Sequence, residues 1–233
     1  DQTSVYDLAE EAGYNVIRTY ADAEKLTAED GKSILIAETL ADSDAMSYSN
    51  DRKSGEWSLA DYVDKGIEIL DNDNGFFMMV EGGKIDWACH ANDAKSTIAD
   101  TLALSKGVDK ALEFYKQHPD ETLIIVTGDH ETGGLTIGYA GTDYDTYLTN
   151  LKNQKLSYAK FDSDYVSKYK ENNTSFSAVL KDVKRLFGLM TADDKDAEKN
   201  PNLVLTEYEY NKLKAAYDKS MSGEKVESQE EYL

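Results

Sequence analysis

Residues 75–94 read GFFMMVEGGKIDWACHANDA. An unbroken apolar run, Phe76 to Val80, gives way within ten residues to Glu81, Asp86 and His90. Residues 122–130, TLIIVTGDH, repeat the design: Leu123 to Val126 are apolar, and Asp129 and His130 follow. Nearly continuous apolar runs, as opposed to alternating ones, mark strands covered on both faces, which is the pattern of a parallel sheet joined by crossover helices. The fold class expected is therefore α/β, with strands at 76–82 and 122–128 inside a three-layer α/β/α parallel-sheet core.

The flanking sequence supports that reading. Ser4 and Asp7 resemble a capping pair, and Val5, Leu8, Ala9 and Ala12 form an apolar stripe that stops at Gly13. NVIRTY (15–20) and SILIAET (33–39) read as strands. Ser58 and Asp61 open a helix with Leu59, Val63, Ile67 and Leu70 on one face, and Ile98, Leu102, Val108, Leu112 and Tyr115 mark a long helix over 96–117. Past Tyr139 the texture changes: ten of the 16 tyrosines lie at 139 or beyond, and helical signals at 175–187 and 207–221 replace strand signals. Two domains follow, a partial α/β core over 1–139 and a Tyr-rich, mostly helical insertion or cap over 140–233.

Composition narrows the partners. Lys and Arg number 25 against 45 Asp and Glu, a net charge of −20. Such a surface repels nucleic acid and anionic membranes, and no apolar run reaches the ~20 residues of a membrane helix. One cysteine, Cys89, rules out an intramolecular disulfide framework. The first residue is Asp, so the chain reads as an excised or processed piece. DNDNG at 71–75 evokes a calcium loop, but its glycine falls at the fifth position instead of the sixth; it reads as a turn.

In a parallel α/β sheet, sites form beyond the carboxyl ends of strands. Asp86 and His90 are four apart, so one helical turn or a tight loop lets both face one point. A carboxylate with an imidazole is half of a zinc site, which ordinarily takes three protein ligands and an open position. Asp129–His130 is a second such half, provided the backbone turns, and Thr132-Gly133-Gly134 supplies that freedom. Glu81 offers oxygen alone and suits a harder ion such as magnesium. A single acid past a strand ordinarily serves as a cap or a solvated loop residue, and Asp-His neighbours arise by chance. Two of the chain's three histidines standing at such positions is what singles these out; His118, before a proline, reads as surface.

VEGGKIDWACHAND (80–93) and VTGDHETGGLTIG (126–138) resemble two metal-binding motifs of the alkaline phosphatase family, in family order and separated by a crossover helix. The resemblance implies that Asp86 and His90 bind one zinc, Asp129 and His130 a second zinc, and Glu81 a neighbouring magnesium. It implies hydrolysis of small phosphate monoesters by two-metal in-line displacement through a phosphoserine or phosphothreonine, and a periplasmic or secreted setting. The family's nucleophile lies in an Asp-Ser-Ala segment. The nearest string here, Asp42-Ser43-Asp44-Ala45, carries an extra acid and is rejected, and no histidine follows His130 to complete the first zinc site. The chain is accordingly expected to be part of a larger enzyme, inactive by itself, with an exposed sheet edge through which a homodimer could form. Two alternatives stay open: another superfamily branch, a phosphodiesterase or sulfatase, and a non-catalytic metal- or partner-binding module.

Overall fold

The structure is a computed structural model that describes residues 3–136 and 145–223. The chain divides into two compact units. The first comprises residues up to Ile85 together with Ala99–Asp129, and the second comprises Asp86–Ile98 and His130 onward. The division expected at Tyr139 falls outside the described residues, as do Ile137 and Gly138 of the second motif.

The first unit opens with α1 (Val5–Glu11), where Ser4 caps the backbone amide of Tyr6. Its apolar stripe is little covered: no α1 residue is buried, and Val5 and Leu8 face solvent. Strand β1 (Asn15–Ile17) pairs in parallel with β2 (Ser33–Leu35), with Val16 opposite Ile34. Both strands are shorter than their apolar runs suggest. Thr19 leaves β1 to cap α2 (Tyr20–Lys25), accepting from the Asp22 amide. Helix α3 (Leu59–Leu70) starts on the expected capping box, in which Ser58 accepts from the Asp61 amide and the Asp61 carboxylate receives the Ser58 amide. Helix α4 (Gly83–His90) follows, and α5 (Ala94–Gln117) runs from the second unit into the first. Gly107 of α5 is buried against α3, where an added Cβ would stand 3.4 Å from Val63 Cγ2, so the small residue sets how closely the two helices approach.

The strands expected at 76–82 and 122–128 do not form. Neither run pairs with a strand, and the sheet among the described residues has two strands, β1 and β2. The physical reason is the lack of a partner: a strand exists only by virtue of a neighbour whose backbone it can bond, and neither run has one among the described residues. DNDNG makes the turn read from sequence, with Asn72 Oδ1 accepting from the Asn74 amide. His118 departs from the surface reading; its ring is partly covered and stacks on Phe114 at 4.5 Å.

The second unit is helical, as its sequence indicates. Helix α6 (Tyr158–Phe161), a π-turn at Asp162–Val166 and α7 (Ser167–Asn172) form one continuous rod. The wider turn puts Phe161 and Val166, five residues apart, on the same side as Tyr169. These three join Leu156 and, from α8 (Phe176–Phe187), Val179, Val183 and Leu186 in one core. Gly188 ends α8 at φ 81°. Helix α9 (Glu207–Ser222), opened by the Thr206–Glu209 capping box, adds Leu213, Tyr217 and Met221 at the margin of this core. Tyr169 donates to Asp182 at 2.9 Å, while burial and that carboxylate push its phenol well above the usual tyrosine value. Among the described residues no helix is long and apolar enough to cross a membrane.

Candidate metal centre

The site is built first on α4, where Asp86 and His90 occupy successive turns. Asp86 Oδ2 lies 3.7 Å from His90 Nε2. Two donors bound tetrahedrally to one zinc at ordinary bond lengths stand about 3.4 Å apart, so this pair is close to the spacing a shared ion requires. The other carboxylate oxygen, Asp86 Oδ1, accepts from Thr132 Oγ1 at 2.8 Å, which fixes the rotation that turns Oδ2 toward His90. Thr132 belongs to the loop that carries His130. Gly133 in that loop sits at φ 59°, and an added Cβ would stand 3.3 Å from both the Cys89 carbonyl oxygen and His90 Cα. Backbone conformation and space thus both call for glycine where the loop meets the end of α4. His130 Nδ1 is 2.8 Å from the Glu131 carbonyl oxygen. A carbonyl can only accept, so Nδ1 carries the proton.

The first unit holds Glu81 and Asp129, both exposed. Glu81 folds back over Gly83, its Oε1 3.1 Å from where a Cβ would be, and a Cβ on Gly82 would meet Ile85 Cδ1 at 2.9 Å. In both cases the neighbour is the far end of a side chain. Beside the two glycines, the largely covered side chain of Lys84 points its Nζ at Asp42 Oδ2, 3.5 Å away, and over the ring of buried Tyr48 at 4.4 Å. Burial lowers the Lys84 pKa against the opposing pull of Asp42, Asp100 and Asp51. Asp100, itself buried, accepts from the Ser49 amide and hydroxyl at 3.2 and 3.0 Å. Burial raises its pKa, offset in part by those bonds and by Lys84 and Arg52.

Of the five sequence-predicted ligands, the second unit thus brings Asp86, His90 and the His130 loop together, while Glu81 and Asp129 belong to the first. Among the described residues, no three His, Cys, Asp or Glu side chains converge closely enough to hold an ion. Cys89 is partly covered, its Sγ 3.6 Å from Thr97 Oγ1. Sequence reasoning passed over Thr132 and Asp93, whose roles depend on distant partners. Asp93 is buried and accepts from the Ser96 amide and hydroxyl, Gln154 Nε2 and the Tyr158 amide, all within 3.0 Å. Its position just ahead of α5 in HANDA is a cap signal that the sequence did offer.

Comparison with known proteins agrees with the family resemblance of the sequence. The family profile described as "Alkaline phosphatase" matches residues 2–222, running well past Tyr139. Alkaline phosphatase 4 of Bacillus subtilis is 36% identical over 132 residues, 56% of this chain and 27% of that protein. The repressible alkaline phosphatase of Saccharomyces cerevisiae is 32% identical over 145 residues, 58% of this chain and 25% of the yeast protein. A cold-active alkaline phosphatase from a psychrophilic Shewanella superposes with a TM-score of 0.67 at 22% identity, covering 94% of this chain and 49% of that one. The Thermus thermophilus alkaline phosphatase superposes at 0.64 and 22% identity over 97% of this chain and 43% of its own. At that identity the superpositions speak for fold: the paired parallel strands and helices of this chain are a partial α/β alkaline phosphatase fold, although its own sheet is small. The chain spans about half the length of these solved chains, and its matched stretches span about a quarter of the curated relatives. On this evidence the chain belongs to the alkaline phosphatase family.

Proposed function

We propose that this chain supplies metal ligands to a hydrolase of small phosphate monoesters, acting outside the cytoplasm. Asp86 and His90 would hold one zinc, Asp129 and His130 a second, and Glu81 a magnesium. The observation that carries the reading is the Asp86–His90 pair, spaced at 3.7 Å on one turn of α4 and oriented by Thr132. A mixed carboxylate–imidazole set suits zinc, and an oxygen-only donor such as Glu81 suits magnesium. When bound, such ions neutralise charge on a phosphate ester and on the attacking and leaving oxygens.

The chain's own residues position the ligands. Thr132 holds the Asp86 carboxylate by its far oxygen, an outer hydrogen bond of the kind that orients first ligands in metal sites. The Glu131 carbonyl does the same for His130, holding the proton on Nδ1 so that Nε2 is the donor atom. Gly133 lets the loop lie against the backbone of His90. The loop Asp42-Ser43-Asp44-Ala45 does not fit the nucleophile role. Asp42 is engaged with Lys84, and Ser43 (φ 50°) faces Asp42 Oδ1 at 3.4 Å. Two protein ligands per zinc make weak sites, so this chain alone binds zinc loosely and does not turn over substrate.

Zinc titration calorimetry tests the ligand assignment. Asp86→Ala/His90→Ala should remove one binding event and Asp129→Ala/His130→Ala another; binding unchanged in both variants would sink it. The chain supplied with zinc and magnesium should leave a chromogenic phosphate monoester intact. Sustained metal-dependent turnover would overturn the rejection of the 42–45 loop.

A further inference from the structure

Asp93 ties together three segments of the second unit. Its amide donates to the Ala88 carbonyl at 2.9 Å, and that of Asn92, at φ 53°, to the Cys89 carbonyl at 3.0 Å. These two bonds end α4 in a Schellman motif, with Asn92 as its left-handed residue and His90 as the last residue of the helix. Asp93 next caps α5: its Oδ1 accepts from the Ser96 amide at 3.0 Å and its Oδ2 from the Ser96 hydroxyl at 2.7 Å. Two further bonds arrive from 61 and 65 residues along the chain. Gln154 Nε2 donates to Oδ1 at 2.7 Å, and the amide of Tyr158, the first residue of α6, to Oδ2 at 3.0 Å. Capping α5 explains the Ser96 bonds and leaves these two without a reason. Asp93 is buried, and a buried carboxylate is costly until its lone pairs are filled. Half of that filling depends on the stretch from Gln154 to Tyr158.

That stretch is itself fixed by the helical core. The Lys155 amide donates to the Leu186 carbonyl at 2.9 Å, Leu156 packs with Val179, Val183 and Leu186, and Lys95 Nζ of α5 donates to the Gln154 carbonyl. The turn behind His90 is therefore held by parts of the fold that lie outside α4 and outside the His130 loop. Helix ends fray where their last carbonyls are unbonded, and a binding constellation has to be held within about 0.5 Å. Thr132 sets the Asp86 carboxylate; the His90 ring hangs on the final residue of α4 and follows wherever that end goes. We propose that Asp93 is a positioning residue of the metal centre. Held by Gln154 and Tyr158, it fixes the turn behind His90 and keeps that ring within reach of the ion shared with Asp86. The inference rests on the reading of Asp86 and His90 as zinc ligands and makes their pose depend on the helical core.

Gln154→Ala tests it, because it cuts the tie and leaves every ligand, α4 and the Ser96 cap in place. Zinc titration followed by the imidazole NMR signals of the chain's three histidines reads each position separately. The midpoint at His90 should rise by about tenfold in the variant, the usual scale for losing an outer partner of a ligand, and that at His130 by much less. Without metal, the amides of Ala91, Asn92 and Asp93 should exchange severalfold faster in the variant, while those of Val179 and Val183 keep their protection. Equal rises at His90 and His130 would overturn the proposal as a general loss of structure. Faster exchange at 91–93 with an unchanged His90 midpoint would overturn it by leaving Asp93 a structural role alone, and so would no change in either measurement. Zinc that moves neither His90 nor His130 in the unsubstituted chain would refute the ligand reading itself, and this inference with it.

Discussion

Both units of this chain carry large apolar residues, and they treat them in opposite ways. The first buries Ala23, Leu26, Tyr48 and Val63 but exposes fourteen large hydrophobics, among them Phe77, Met79, Leu123 and Ile125. The second buries ten apolar side chains, from Ala88 through the Leu156–Leu186 cluster to Ala197, and exposes only Ile98, Tyr147, Leu148 and Tyr208 among the described residues. The difference follows from the kind of element. Helices satisfy their own backbones, so three or four of them can close a core without outside help. Strands bond to neighbours, and a run whose neighbour lies elsewhere stays open on its edge and on one face. The second unit closes a core of its own, while the first leaves the runs at 76–82 and 122–128 open to solvent.

The sharpest way to break this comparison is to truncate matched apolar residues in the two units. Phe161→Ala removes a ring at the centre of the second core and should cost about 3–5 kcal/mol in urea unfolding. Leu123→Ala, already in solvent, should change stability by no more than about 0.5 kcal/mol. Comparable losses at the two sites would mean that the first unit has a hidden core. A smaller effect is expected from Asp93→Ala, which takes a carboxylate acceptor away from the buried Ser96 hydroxyl and from the Gln154 and Tyr158 N–H groups. It should destabilise the second unit by about 2–3 kcal/mol and shift thermal melting without altering the exchange of 76–81.

Gly188→Ala sharpens the same contrast at a helix end. At φ 81° an L side chain is strained, and its Cβ would stand 2.7 Å from Asn153 Cβ. A loss of about 1–3 kcal/mol by denaturant titration is expected; an unchanged midpoint would show that the 153–188 contact is dispensable. The mildest test concerns the first unit. Burial, followed by the charges of Tyr20 and Asp61, raises the Tyr62 hydroxyl to about 12. Unfolded, it ionises near 10, so the folded state holds this proton more firmly. Its contribution is complete below pH 10 and is lost as the pH rises toward 12. Tyr62→Phe should flatten that part of the alkaline decline in stability.

How far the sequence could be read depended on how local each signal was. Capping boxes at Ser58–Asp61 and Thr206–Glu209, the stop at Gly188 and the stripe Val179–Val183–Leu186 involve residues within a turn or two of each other, and they form as the sequence indicates. The spacing of Asp86 and His90 was legible for the same reason, since four residues make one helical turn. Thr132 reaching Asp86, and Asp93 gathering Gln154 and Tyr158, span 46 to 65 residues, and nothing in a linear pattern announces such pairs.

By itself the sequence determined the family, the ligand-type residues, the helices and the strongly apolar character of 76–82 and 122–128, because each is a matter of residue type and short spacing. Only the tertiary structure decided which of those apolar residues are covered, which loop meets α4, and that the two runs stay unpaired. Burial and strand pairing depend on what lies across space from a residue. Phe77, Met79, Leu123 and Ile125 are left largely open to solvent.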